Sequence, residues 1–170
     1  MSILLKNLLR FALLLLFQVF VLNQILLYGL INPYLYLIFI LLLPFKIPRW
    51  LLMLCGLALG LSLDVFMNTM GMHAFACVLI AYFRPLVLKV LSPQGGYEAS
   101  QKAPSPGTMG LSQFIAYVTI MVLIHHIAYF TLEVFGWGNL GYLLAKIFLS
   151  SLVTIGLILL YELLFYSKKK

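Results

Sequence analysis

Long apolar runs separated by short polar turns are the feature of this chain that most constrains its fold. A transmembrane helix needs about 20 mostly apolar residues to cross the hydrocarbon core of a bilayer. Runs of this kind recur along the whole sequence, with Asn, Pro, Gly and basic residues between them. The pattern predicts an all-α, polytopic bundle of about six transmembrane helices. The predicted spans are residues 11–31, 33–45, 50–67, 72–91, 113–134 and 142–166.

The composition favours one membrane domain over a soluble one. Of the 170 residues, 64% are hydrophobic and 9% are charged, whereas a soluble domain is about half apolar and about a quarter charged. A globule of this length cannot bury so much apolar surface. We therefore expect residues 1–170 to form a single transmembrane domain. The run 33–45 is too short to cross upright, so it either starts earlier or thins the bilayer locally.

The basic residues predict the orientation of the bundle. The net charge is +7, and every Lys and Arg except Lys146 falls on one side of the predicted spans. The positive-inside rule then places both termini in the cytoplasm, and the Pro- and Gly-rich stretch 92–112 becomes a flexible cytoplasmic loop. Arg84, on the inner half of the fourth span, is expected to snorkel inward. The basic residues form no patch interleaved with aromatics, so nucleic acid is not an expected partner.

Three charged residues lie near the outer ends of predicted helices. They are Asp64, Glu133 and Lys146, and at 1.5 Å per residue they fall at a similar depth. Each charge inside a bilayer costs about 2.5–3.5 kcal/mol, so such residues usually face protein or water. The sequence predicts that Lys146 pairs with either Asp64 or Glu133.

Two predicted helix faces carry small or polar residues at helical spacing. Gly56, Gly60 and Asp64 share one face of the third span, and His125 and Glu133 lie on one face of the fifth. Small residues at this spacing allow helices to approach closely. Three interpretations stay open for these residues: interhelical hydrogen bonding, a small-molecule or ion pathway, and a partner-binding surface.

The sequence offers no catalytic or cofactor motif. It contains no phosphate loop, HExxH motif or nucleophile elbow. His125 and His126 point about 100° apart on a helix, so they are poorly placed to chelate one ion. Cys55 and Cys77 lie in apolar runs without the spacing of a metal or redox pair. We expect a protein that is not an enzyme and that binds no cofactor or metal.

Several short segments resemble the family of the rod shape-determining protein MreD. The clearest are residues 56–64 (GLALGLSLD) and 71–74 (GMHA), where Gly71 begins the segment. Residues 82–85 (YFRP) and 124–126 (IHH) also resemble parts of some members. The resemblance covers most of the chain and implies a fold similar to the substrate-binding subunits, or S-components, of energy-coupling-factor transporters.

The resemblance implies a scaffold and not a catalyst. MreD-like proteins lie in the bacterial inner membrane, bind a bitopic MreC-like partner and support rod shape and lateral peptidoglycan synthesis. The glycosyltransferase and transpeptidase of the elongation machinery would be indirect partners. Two alternatives remain: a substrate-binding subunit of a small-molecule transporter, and a membrane enzyme acting on lipid-linked intermediates. The first predicts an outward-facing polar or aromatic pocket and a coupling surface of small residues, and the second predicts converging acid, base or metal-ligand groups at one depth.

Overall fold

Helices form most of the chain that the computed structural model describes, namely residues 3–25, 29–93, 96–97, 103–134 and 139–165. The predicted all-α fold is confirmed. A short 3-10 helix, Leu22–Gln24, follows the first α-helix. The α-helices are α1 (Ile3–Phe20), α2 (Leu37–Leu41), α3 (Arg49–Met67), α4 (Met72–Val90), α5 (Pro106–Met109), α6 (Leu111–Glu133) and α7 (Leu140–Phe165).

In the part of the chain that the structure describes, five helices are long and apolar enough to cross a bilayer, namely α1, α3, α4, α6 and α7. The predicted polytopic bundle is confirmed, but the prediction of six spanning helices is wrong. The second predicted span, 33–45, contains only the 5-residue α2, which is about 8 Å long against a hydrocarbon core of about 30 Å. Pro44 limits the end of this helix, because proline lacks an N–H donor and disfavours helix in the residue before it.

The chain between α1 and α3 still runs from one end of the bundle to the other. Near the end of α1, Gln18 Oε1 accepts from the N–H of Leu35 at 2.9 Å. Near its start, Arg10 donates to the carbonyl of Leu42 at 3.4 Å. The segment is therefore antiparallel to α1, and the chain direction alternates through to α7. Consequently α1 begins at the end of the bundle where α7 finishes, and Arg10 and Leu164 line the same groove there.

The exposed cations Lys46, Arg49 and Lys89 lie at this same end, which we call the basic end. The predicted loop 92–112 is also there, although residues 94–95 and 98–102 lie outside the described chain, as do the predicted outer turn at residue 137 and the terminal lysines 168–170. Within the loop, α5 is capped by Ser105, whose Oγ accepts from the N–H of Thr108 at 3.2 Å. Aromatic stacking at 4.6 Å joins Tyr97 to Phe45, so parts of this stretch pack against the bundle.

Helices α3 and α4 form an antiparallel hairpin whose backbones approach closely. A Cβ atom added to Gly60 would lie 2.3 Å from Ala74 Cα, and one added to Gly56 would lie 2.8 Å from the carbonyl oxygen of Cys77. Only glycine fits at such distances, and the predicted small-residue face is therefore turned toward a neighbouring helix. Gly71, with φ of 84°, adopts the left-handed conformation that the turn into α4 requires.

The segment between α1 and α3 forms the centre of the core. All residues from 33 to 43, which we call the buried segment, are buried. Irregular backbone at membrane depth is tolerated only where protein or a water-filled cavity surrounds it, because lipid cannot satisfy its N–H and C=O groups. The bundle must therefore supply hydrogen-bonding partners to this segment, and these partners account for many of the polar residues inside the spans.

Candidate functional site

Polar side chains from α1 and α7 form hydrogen bonds with backbone groups in the first part of the buried segment. Gln18 donates from Nε2 to the Pro33 carbonyl at 2.8 Å and accepts the N–H of Leu35. The N–H of Tyr34 donates to Thr154 Oγ1 at 3.1 Å, and the N–H just before the segment, at residue 32, donates to Ser150 Oγ at 3.0 Å. Ser150 and Thr154 of α7 thus bind the backbone at the start of this segment.

Arg84 holds the other part of the buried segment. Its guanidinium donates to the carbonyls of Leu41, at 3.4 Å, and Leu43, and its Nε donates to Tyr117 Oη at 3.0 Å. The Tyr117 hydroxyl donates in turn to the Leu41 carbonyl at 3.0 Å. The prediction that Arg84 snorkels to the membrane surface is wrong, because the residue is only 1% exposed. The unwound carbonyls offer it hydrogen bonds inside the protein.

Asp64 caps the start of α4. Its Oδ1 accepts from Thr69 Oγ1 at 2.6 Å and from the N–H of His73 at 3.0 Å, and its Oδ2 accepts from the N–H of Ala74 at 2.9 Å. The ring Nδ1 of His73 lies 3.1 Å from Oδ1. A carboxylate is stabilised here because the first N–H groups of a helix lack partners within the helix and carry partial positive charge.

Lys146 pairs with Glu133 and not with Asp64. The distance from Lys146 Nζ to Glu133 Oε2 is 2.5 Å, and the lysine ammonium also lies 5.1 Å from the ring centre of Phe130. One of the two predicted alternatives is therefore confirmed. The pair joins α6 to α7, with the lysine side chain 8% exposed and the glutamate side chain 28% exposed.

All three histidines of the chain lie in one buried aromatic cluster around Tyr34. The rings of His73, His125 and His126 have centroids 5.8, 5.7 and 5.4 Å from that of Tyr34. His125 Nε2 shares a 2.8 Å hydrogen bond with Tyr36 Oη. The neighbouring histidine, His126, instead pairs its Nε2 with a threonine hydroxyl of α7 at 3.2 Å. The two adjacent histidines thus serve different partners, as their angular separation predicts.

The cluster contains two polar atoms without a partner. Among the described residues, His73 Nε2 and His125 Nδ1 are fully buried and make no hydrogen bond. The same is true of Ser151 Oγ, outside the cluster. No group of three or more His, Cys, Asp or Glu residues in the described chain is arranged to hold a metal ion. The other nitrogen of each of these two histidines is hydrogen-bonded, so the rings tie helices together and also pack as aromatic surfaces.

Sequence reasoning missed several of these core residues. Gln18 lies within the predicted span 11–31 and was given no role there, and neither were His73, Tyr36 and Tyr117. A signal existed for Gln18, because a polar side chain inside a span rarely faces lipid. The sequence offered no such signal for the tyrosines, because tyrosine occurs at the membrane interface as well as in buried, hydrogen-bonded positions.

Apolar grooves flank α1 on both sides. One, between α1 and α7, has a volume of about 700 Å³, and the other, between α1 and α3, has about 580 Å³. A cleft of about 300 Å³ lies between α3 and α4 at the basic end. Beside Tyr34, at the opposite end, a pocket measures only about 60 Å³. The largest of these spaces therefore lie beside the first helix and away from the histidine cluster.

Comparison with known protein families, with curated proteins and with solved structures found no match for this chain.

Proposed function

We propose that this protein is a non-enzymatic scaffold of the bacterial inner membrane, which binds a bitopic MreC-like partner and supports rod shape and lateral peptidoglycan synthesis. The segments that resemble MreD motivate the family, and the positive-inside rule orients the basic end and both termini toward the cytoplasm. The observation that carries the proposal is that α1 buries less of its surface against the bundle than the other spanning helices do. Only 17% of its spanning window is buried, against 33% for α3 and 44% for α4 and α6.

The groove between α1 and α3 suits a single apolar transmembrane helix. Its wall includes large apolar side chains, Leu8, Phe11 and Leu51, together with the small residues Cys55 and Ala58. Helices that already lie in a bilayer have no hydrophobic driving force to associate. They associate by van der Waals packing, where small residues let their backbones approach closely. A helix that fills this groove would contact α1 and α3 at the same time, and it would hold α1 against the bundle.

The polar core supports a scaffold over the two alternatives. Asp64 and Glu133, the carboxylates that a transporter or an enzyme would use, are each bonded to neighbouring groups of the bundle. The pocket beside Tyr34, next to the histidine cluster, has about 60 Å³, whereas small-molecule sites occupy about 300–1,000 Å³. An open space of about 570 Å³ at the α3–α4 turn falls within that range, but Asn68, Thr69 and Met70 line it and no histidine of the cluster does. Both observations fit a core whose polar groups stabilise the packing of the helices.

The test is site-specific photocrosslinking in living cells, followed by identification of the crosslinked protein. A photoreactive residue at Ala58 is expected to capture an MreC-like single-span protein, and one at Ile127, which is 52% exposed on α6, serves as the matched lipid-facing control. Equal capture from both positions would refute the proposal. Capture of ATPase subunits from Ala58 would refute it and favour the transporter alternative.

A groove-filling variant provides an independent check. Ala58→Trp is expected to lower recovery of the partner in mild detergent at least about tenfold, since a bulky ring would occupy the space that the partner helix needs. Ile127→Trp is expected to leave recovery unchanged. Recovery that is equal for the two variants would show that the partner binds elsewhere.

A further inference from the structure

The cleft between α3 and α4 at the basic end combines two cations with an apolar wall. Arg49 is the first residue of α3, and Lys89 lies in the last turn of α4. The antiparallel hairpin places both side chains around one cleft of about 300 Å³. Both are exposed, so their charged groups are accessible from the membrane surface.

Neither cation is neutralised by a carboxylate in the described chain. Glu133 is paired with Lys146, and Asp64 is bonded to His73 and its neighbours; both carboxylates lie toward the opposite end. The cleft lining contains no acidic residue. Glu162, the acidic residue described near the basic end, lies on α7 and does not line the cleft. Within the described ranges, the cleft is therefore a local concentration of positive charge that has no paired carboxylate.

The remaining wall of the cleft is apolar and faces the bilayer. It includes Met53, Ala81 and Leu86, with Leu86 55% exposed. Tyr82 also lines it and is 65% exposed, in the manner of the aromatic residues that lie at headgroup level. A soluble anion would use the cations and gain nothing from this wall. A lipid would use both, with its phosphate on the cations and the first part of an acyl chain along the apolar side chains.

We propose that this cleft binds the phosphate headgroup of an anionic glycerophospholipid in the leaflet at the basic end. Basic pockets between transmembrane helices on the cytoplasmic side are suited to such headgroups. The site is separate from the groove proposed for the partner helix, because it lies on the other face of α3. The inference therefore stands or falls independently of the proposed partner.

The experiment measures lipid retained by the purified full-length protein, using native mass spectrometry with added phosphatidylglycerol or phosphatidylcholine. Phosphatidylglycerol is expected to bind more tightly than phosphatidylcholine. The double variant Arg49→Gln, Lys89→Gln is expected to lose about 30-fold in phosphatidylglycerol affinity, since each cation near an anionic membrane surface contributes about one factor of five. Lys46→Gln is the matched control: it removes an exposed cation at the same end that lines a different groove, and it should change affinity less than twofold.

Each outcome decides for or against the site. Recovery of binding in Arg49→Lys, Lys89→Arg, which keeps both charges, would support a headgroup site and exclude misfolding as the cause of the loss. An equal loss in Lys46→Gln would show that general surface charge holds the lipid, and the proposal would be overturned. Equal retention of both lipids, or full competition by millimolar inorganic phosphate, would likewise overturn it, since the acyl wall would then play no part.

Discussion

The contact between α3 and α4 predicts a large effect of a single methyl group. In Gly60→Ala the new Cβ would lie 2.3 Å from Ala74 Cα, while ordinary contacts are 3.4–4 Å. The helices must separate by roughly 1 Å, because the obstacle is backbone and cannot rotate away. The shift also pulls on the N–H groups of His73 and Ala74, both of which donate to Asp64.

The expected cost is about 3 kcal/mol, at the upper end of the range for overpacked cores. For a chain of this size, 1 kcal/mol moves the melting temperature by about 2–4 °C, so Gly60→Ala should melt about 6–12 °C lower. Gly56→Ala should fall between this variant and the wild type, since its Cβ would meet the Cys77 carbonyl oxygen at 2.8 Å.

Gly156→Ala on α7 is the matched control. Nothing lies within 4 Å of a Cβ added there, and replacing a helical glycine by alanine stabilises a helix by about 0.5–1 kcal/mol. The assay is thermal unfolding in a mild detergent, followed by intrinsic tryptophan fluorescence at fixed protein and detergent concentration. If Gly60→Ala melted within 2 °C of Gly156→Ala, the close packing of α3 on α4 would be refuted.

Two further predictions concern polar contacts of the core. In double-mutant cycles, Lys146 should couple to Glu133 by more than about 0.5 kcal/mol, whereas its cycle with Asp64 should give additive losses, because the two are not partners; coupling to Asp64 would contradict the observed pairing. Gln18→Leu should destabilise the protein by about 2 kcal/mol or more, since it leaves a buried carbonyl and a buried N–H of the buried segment unpaired. The exposed Gln113→Leu should stay within about 0.5 kcal/mol in the same unfolding assay, and equal losses in the two variants would argue against the Gln18 contacts.

Four of the long helices described could be predicted from sequence because lipid imposes a simple rule, but the first span, predicted at 11–31, is wrong because α1 is Ile3–Phe20. A helix that crosses the bilayer must be apolar over its whole length, and that requirement fixes α3, α4, α6 and α7 within a few residues of their observed bounds. The Gly56 and Gly60 face was predictable for a related reason, as close approach in membranes depends on small residues at helical spacing.

The buried segment could not be predicted from hydropathy. Hydropathy indicates a short transmembrane helix for an apolar run of this length. Sequence alone does not show which other side chains will form hydrogen bonds with its backbone N–H and C=O groups. Those side chains come from distant positions, for example Arg84 and Thr154. Asp64 was misassigned as a possible partner of Lys146 for a similar reason. The four N–H and O–H donors that it meets across the α3–α4 turn are properties of the fold.

The dependence of the buried segment on late-synthesised residues has a consequence for biogenesis. Its Tyr34 amide is satisfied by Thr154, which lies 120 positions later in the chain. During synthesis the ribosome therefore releases a short apolar stretch long before its partners on α4, α6 and α7 exist. Until then Gln18 can bond the Pro33 carbonyl and the Leu35 N–H, and the remaining backbone groups need a transient helix or the wet surface of the membrane. We therefore expect insertion of α7 to complete the hydrogen bonding of this stretch, and truncation before Thr154 should leave it more accessible to protease.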